Sequence, residues 1–222
     1  NKPEFGISFF KMSLDRSVQT FSYSRNLPPS AGIALSFFRS GVDEIILTGA
    51  NNNFIEKASH WEGYGMMSFG IKIGNKTSIG LSLKAFINEL HDYSAKGIGG
   101  DLAIFSHLTR FIDLGLSMQN IGSKYKWEIA GEKYDEDILT MMQFSLTYKK
   151  IDNLVLIGQI DTIGENDLDE MLKKLPMISN IAGQTFLRFG IEYEFEIQKP
   201  DKFILFRFGM RESFLNDKSI LF

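Results

Sequence analysis

Hydrophobic and polar residues alternate along much of this chain. In Lys76–Leu90 the apolar positions are Ile79, Leu81, Leu83, Ala85 and Ile87, with Ser78, Gly80, Ser82, Lys84, Phe86 and Asn88 between them. A period of two describes a β-strand with two unlike faces. The same pattern places Ile112, Leu114, Leu116 and Met118 opposite Asp113, Gly115, Ser117 and Gln119. It sets Leu187, Phe189, Ile191, Tyr193 and Phe195 against Arg188, Gly190, Glu192 and Glu194. Ile204, Phe206, Phe208 and Met210 likewise oppose Arg207, Gly209 and Arg211.

Read this way, the chain contains about eleven strand-like segments. They cover Glu4–Met12, Ser17–Arg25, Ala31–Arg39, Tyr64–Ile73, Lys76–Leu90, Lys96–Leu108, Phe111–Ile121, Leu139–Lys150, Asn153–Thr162, Thr185–Phe195 and Lys202–Arg211. Lys218–Phe222 begins a twelfth. The links Arg25–Ala31, Gly74–Thr77, Leu108–Phe111 and Lys149–Asn153 are short, whereas Ser40–Gly63, Glu89–Lys96, Gly122–Ile138 and Asp161–Gln184 are long. Short and long links mostly alternate, which in a meander gathers tight turns at one end and long loops at the other. The first hairpin, around Leu14, is short where a long link is due. In Glu165–Met177, Leu168, Met171, Leu172 and Leu175 fall at helical spacing, with Asp167 as N-cap and Pro176 as stop. A helix over a barrel mouth and a plain loop filler both fit this stretch, and the plain reading is taken.

A soluble sandwich also alternates, with its apolar face inward. Two features favour the inverse arrangement. The polar faces are rich in Gly and Ser, and Tyr23, Trp61, Tyr64, Trp127, Tyr148, Tyr193 and Phe195 gather near strand ends, as in the aromatic girdles of membrane barrels. No apolar run reaches the roughly 18 residues of a membrane helix. A barrel strand needs only about 9–11 alternating residues, so a membrane remains open. The expected fold is all-β, an antiparallel up-and-down transmembrane β-barrel of about eleven to twelve strands. Residues 1–222 read as a single domain, incomplete at both termini.

Net charge is −3, which gives no field to gather nucleic acid. Cysteine is absent, so disulfides, thiol catalysis and thiolate metal sites are excluded. His60, His91 and His107 show no metal-ligand spacing and read as structural. The glycines of Gly97–Asp101 resemble a phosphate loop but precede no helix, so they read as strand glycines that relieve crowding. The acidic stretches Lys133–Thr140 and Asp161–Glu170 lack EF-hand spacing and read as solvated loops. Asn75-Lys76-Thr77 fits a glycosylation sequon to which a tight turn gives no meaning. No nucleophile elbow or triad occurs, and the chain is not expected to be an enzyme or to use a cofactor or metal.

The lipid-facing candidates are Ile79, Leu81, Leu83, Leu114, Leu116, Phe189 and Phe206. The lumen-facing candidates are Lys72, Lys84, Asp101, Asp113, Lys149, Arg188, Glu192, Arg207 and Arg211. The latter fit either a polar passage or a salt-bridged, self-satisfied interior, and the second reading is taken. Phe10, Phe38, Phe86 and Phe105 are expected to point inward.

Tyr93–Trp127, with its Gly100-Asp101-Leu102-Ala103 and its Leu114-Gly115-Leu116-Ser117-Met118-Gln119-Asn120-Ile121-Gly122, resembles the PorV/PorQ family of outer-membrane proteins in the FadL-like superfamily. The hairpin over Gly70–Leu90 and the pair Leu187–Phe195 and Ile204–Glu212 extend the resemblance over roughly Ala31–Arg211. It implies a barrel of about fourteen strands in the outer membrane of a diderm bacterium. Its implied role is accessory to type IX secretion, binding cargo or translocon through Val42–Trp61, Lys124–Asp137 and Ile163–Asn180. The wider superfamily implies an alternative, passive transport of hydrophobic small molecules. Alternation alone also allows a soluble all-β binding module. The implied partners are membrane lipid and secretion proteins, not nucleic acid.

Overall fold

The computed structural model describes residues 2–48, 54–129, 131–164, 183–198 and 202–214. All regular structure among them is β. The strands are β1 (Glu4–Lys11), β2 (Arg16–Leu27), β3 (Ala31–Thr48), β4 (Phe54–Ile73), β5 (Thr77–Leu90), β6 (Tyr93–His107), β7 (Ile112–Ile129), β8 (Glu132–Asp137), β9 (Thr140–Tyr148), β10 (Leu154–Gly164), β11 (Gly183–Gln198) and β12 (Lys202–Phe214). They form one 12-stranded sheet in the order β1-β2-β3-β4-β5-β6-β7-β9-β10-β11-β12, with β8 paired to β7 off that path. Each strand on the path is followed by its neighbour in sequence, β8 apart, so the topology is up-and-down. The helical pattern of Glu165–Met177 and the strand start at Lys218–Phe222 lie outside the described residues.

Contacts divide the chain into two compact units. The first comprises Asn1–Ile71, Gly80–Asp101 and Asn120–Ile138; the second comprises Lys72–Ile79, Leu102–Gln119 and Leu139–Phe222.

Two of the links expected to be long loops are paired ribbons. β3 runs on from Arg39 to Thr48 and β4 begins at Phe54, so the expected loop Ser40–Gly63 is mostly strand, paired from Ser40↔Glu62 to Thr48↔Phe54 with register shifts after Val42 and Leu47. Gly122–Ile138 forms the β7–β8 ladder from Lys124↔Asp137 to Ile129↔Glu132. Glu89–Lys96 shrinks to a turn at His91 and Asp92. Charged residues fall on both faces of these extensions, so no alternation marks them. Their backbones pair all the same, because main-chain hydrogen bonding does not depend on which face is wet.

Tight turns are made by residues that accept a left-handed backbone. Gly74 (φ 63°) turns β4 into β5, Asn153 (φ 62°) leads into β10, and Leu14 and Asp15 (φ 62° and 51°) turn β1 into β2. Glycine and asparagine adopt this conformation cheaply, whereas leucine pays a steric cost.

The register gives each unit two unlike faces. In the first unit Phe21, Leu35, Phe37, Met67 and Phe69 share a face, with the pairs Phe21↔Phe37, Leu35↔Met67 and Ile33↔Phe69. The opposite face carries Ser22↔Ser36 and Ala34↔Ser68, and Ser68 bonds Ser82 at 2.8 Å. In the second unit Leu114↔Leu146, Leu116↔Phe144, Phe144↔Ile160 and Ile160↔Leu187 make the apolar face. Asp113↔Thr147, Ser117↔Gln143 and Gln159↔Arg188 make the polar one.

Burial is inverted relative to a water-soluble fold. The buried hydrophobic residues among those described are Ala58, Phe86 and Ala95, while Ser17, Lys84, Asp113, Ser123, Thr140 and Asp161 are buried polar or charged residues. Leu81 and Leu83 are 58% and 67% exposed, and Lys84 beside them is 7% exposed. Leu116, Phe189 and Phe206 are also exposed. Leu114 and Ile79 are half-buried. An exposed apolar face of this extent is foreign to a monomer in water.

Candidate functional site

The chemistry-bearing residues lie on the polar faces. In the first unit Lys84 projects from β5, between outward Leu83 and Ala85. Its Nζ lies 2.9 Å from Asp101 Oδ1 on β6 and donates to Asn120 Oδ1 at 3.0 Å. Asn120 returns its backbone N–H to Asp101 Oδ1 at 3.0 Å. The left-handed conformation of Asn120 (φ 59°) is one an asparagine tolerates. Lys84 Nζ also sits 5.3 Å from the centroid of Tyr64. A buried charge needs a partner and filled hydrogen bonds, and this group supplies both.

Aromatic rings line the same face. Phe38, Tyr64, Phe86, Tyr125 and Trp127 follow one another at centroid distances of 5.4, 6.0, 6.1 and 6.3 Å. They occupy β3, β4, β5 and β7, and most meet tilted or edge-on, as ring quadrupoles favour. Gly97 and Gly99 of β6 make room for β7. A Cβ at Gly97 would meet Lys124 O at 2.4 Å, and one at Gly99 would meet Ser123 Oγ at 1.7 Å. These glycines serve close strand approach in β6, with no phosphate loop around them.

The second unit carries two polar groups. Asp113, at the start of β7, is held by His107 Nδ1 at 2.6 Å and Lys149 Nζ at 2.5 Å. Thr109 Oγ1 accepts from the backbone N–H groups of Phe111 and Ile112 at 3.1 Å each and fixes the short turn. Phe105 packs edge-on against His107. The other group centres on Asp161, which has no solvent exposure. Its Oδ1 accepts from Gln143 Nε2 at 3.1 Å and Gln159 Nε2 at 2.5 Å. Gln143 Oε1 in turn accepts from Ser117 Oγ at 3.2 Å and Gln119 Nε2 at 2.8 Å. Arg188 Nε lies 2.7 Å from Asp161 Oδ2, close enough for an ion pair, although neither atom is aligned for a hydrogen bond.

Of the sequence candidates, Lys84 and Asp101 come together in the first unit, as do Asp113 with Lys149 and Glu192 with Arg207 in the second. Lys72 is exposed, and Arg211 lies over the Phe186 ring at 3.8 Å. Asn120, Gln143 and Gln159 complete the clusters and are not among the sequence's site candidates, and Asp161, expected to open a solvated acidic loop, is instead a fully buried residue of β10. Their strand parity was the available signal, since Gln119, Gln143 and Gln159 alternate with apolar neighbours as Asp113 does. Phe86 is buried and Phe38 half-buried, whereas Phe10 and Phe105 are exposed. In the β7–β8 hairpin, the hydrogen bond and charge of Asp137, 3.0 Å away, hold the Lys124 ammonium above its ordinary pKa.

No group of three or more His, Asp or Glu side chains among the described residues is placed to hold a metal ion. In the first unit a hollow of about 910 Å³ is lined chiefly by Phe21, Leu35, Phe37, Met67, Leu83 and Ile98, residues exposed on the outward apolar face. In the second unit a hollow of about 430 Å³ lies among Gln159, Arg188, Gly190, Gly209 and Arg211, with Ile157, Phe189 and Met210 completing its lining.

No family model and no curated protein matches the chain. The PorV/PorQ resemblance therefore gains no support from these comparisons. Among solved structures the chain is similar to one titled CymD monoaromatic hydrocarbon channel, at 8% identity and a TM-score of 0.49, over 96% of this chain and 75% of that one.

Proposed function

We propose that this chain is a non-enzymatic outer-membrane β-barrel protein of a diderm bacterium that passes small hydrophobic molecules, as members of the FadL-like superfamily do. Its apolar faces meet lipid and its polar faces line a narrow interior. One observation carries this reading: Leu81 and Leu83 are exposed while Lys84 between Leu83 and Ala85 is buried with its counter-ion. In water that arrangement costs roughly 25 cal/mol for each Å² of apolar surface left uncovered, and hydrocarbon removes the cost. The larger hollow lies among residues of the outward apolar face, so the choice of an apolar passenger rests on the resemblance to the FadL-like superfamily.

A second reading keeps the same scaffold and makes it a PorV-like accessory to type IX secretion, binding cargo or translocon at its projecting ribbons. The exposed β7–β8 hairpin, with Glu132, Asp135, Glu136 and Asp137, favours it. One experiment separates the readings: purification of the full-length protein from its native outer membrane in mild detergent, with mass spectrometry of all that accompanies it. Retained apolar small molecules without protein partners are the expected result. Co-purifying secreted proteins or a large translocon would replace transport by secretion. Recovery from the soluble fraction alone would return the chain to the class of soluble all-β binding modules.

A further inference from the structure

Cross-strand rows follow one another on the polar face of β10, β11 and β12. One row is Gln159, Arg188 and Arg211; the next is Ile157, Gly190 and Gly209; the third is Val155, Glu192 and Arg207. Charge does not balance across them. Arg188 pairs with Asp161 and Arg207 pairs with Glu192, at 2.7 and 2.8 Å. Arg211 has a ring beneath it and no carboxylate partner among the described residues. It also stands directly opposite Arg188, and like charges in that position repel.

The glycine row beside these arginines is emptier than packing requires. A Cβ at Gly190 would meet nothing nearer than Ile157 Cβ at 3.7 Å, and one at Gly209 nothing nearer than Phe189 O at 3.7 Å. Neither glycine has a positive φ. A methyl group fits at both, yet the chain carries glycine, which destabilises a strand interior relative to alanine. The space they leave is the hollow of about 430 Å³ that Arg188 and Arg211 line.

We propose that this hollow is a binding site for a compact oxyanion, a carboxylate or a phosphoryl group, held between Arg188 and Arg211 above Gly190 and Gly209. A guanidinium presents parallel N–H donors that match the oxygens of either anion. Arg188 already has Asp161 as its counter-ion, so the charge a bound anion would add is the one Arg211 lacks among the described residues. Gln159, in the same row, adds an amide donor.

The test is calorimetric titration of the purified full-length protein, in neutral detergent at low salt, with sodium benzoate and separately with inorganic phosphate. Saturable binding of at least one probe is expected. Benzoate alone would mark a carboxylate site, phosphate alone a phosphoryl site, and both a site that reads only the shared oxyanion. Arg211→Gln is expected to weaken binding at least tenfold, and the double variant Gly190→Ala with Gly209→Ala severalfold with an unchanged circular dichroism spectrum. Arg207→Gln, outside the hollow, should stay within twofold of wild type. Absence of saturable binding to both probes, or wild-type affinity in the folded double-alanine variant, overturns the site. A protein that carries apolar molecules and binds neither anion would lose this site and keep its transport role.

Discussion

Two ion pairs of this molecule have nearly the same length and opposite surroundings. Lys84 and Asp101, in the first unit, approach to 2.9 Å with side chains 6% and 14% exposed. Arg207 and Glu192, in the second, approach to 2.8 Å with side chains 71% and 32% exposed. Distance therefore says little about what each pair contributes. The first pair is enclosed by Asn120 and Tyr64, so removing one partner strands a charge away from water. In the second pair solvent takes over whatever the partner leaves.

The sharpest way to test that contrast is Lys84→Met. It leaves Asp101 buried with the Asn120 N–H as its described donor, and should cost about 3–5 kcal/mol in urea unfolding from detergent micelles. Adding Asp101→Leu should recover most of the loss, since a buried pair exchanged for apolar side chains is often neutral. A failure of the double variant to recover would mean that the pair specifies register as well as filling space.

Leu83→Arg attacks the neighbouring outward position. In a bilayer it should cost about 2–4 kcal/mol near the midplane and less toward an interface, read as reduced folding into vesicles. In a soluble module the same exposed arginine would be harmless, so this variant separates the membrane reading from its rival. Gly99→Ala is next in size. Its Cβ would sit 1.7 Å from Ser123 Oγ and 2.8 Å from Ser123 Cβ, so strand β6 or β7 must shift. Overpacking of this kind costs about 1–3 kcal/mol, measurable as a lower unfolding midpoint, and Ser123→Ala should return only part of it. Arg207→Gln should move stability least, within roughly 0–1 kcal/mol, by an amount that shrinks as salt is added.

Local alternation made much of the architecture legible. The row from Ile79 to Ile87 could be read directly, because each strand residue advertises its face through its neighbours. The extensions of β3 and β4 could not be, because Asp43, Glu44, Glu56 and Lys57 put charges on both faces among apolar residues and so erase the alternation. β8 was missed for the same reason, since Glu132–Asp137 is charged at nearly every position. The clusters were harder still. That Lys84 meets Asp101 and Asn120, or that Asp161 meets Gln143 and Arg188, depends on register between strands. Alternation within one strand fixes its faces and leaves its alignment with the next one open.

The β7–β8 hairpin has a consequence for how this protein can vary. β8 bonds to β7 alone, and its base is clipped by Ile138 N–H to Ser123 O at 3.0 Å and by Lys124 to Asp137. Trp127 Nε1 donates to Glu136 higher up, at 2.7 Å. β8 is thus a side branch that leaves the main succession after β7 and returns to it at Thr140. Insertions at the hairpin's tip, or mutations along β8, change what the molecule displays without shifting the alignment of the strands on the main path, whereas the β7 arm stays tied to the sheet through Tyr125 against Phe86. Heritable change can accumulate there almost free of folding constraint, so a lineage could retarget this surface while the sheet beneath it stayed the same.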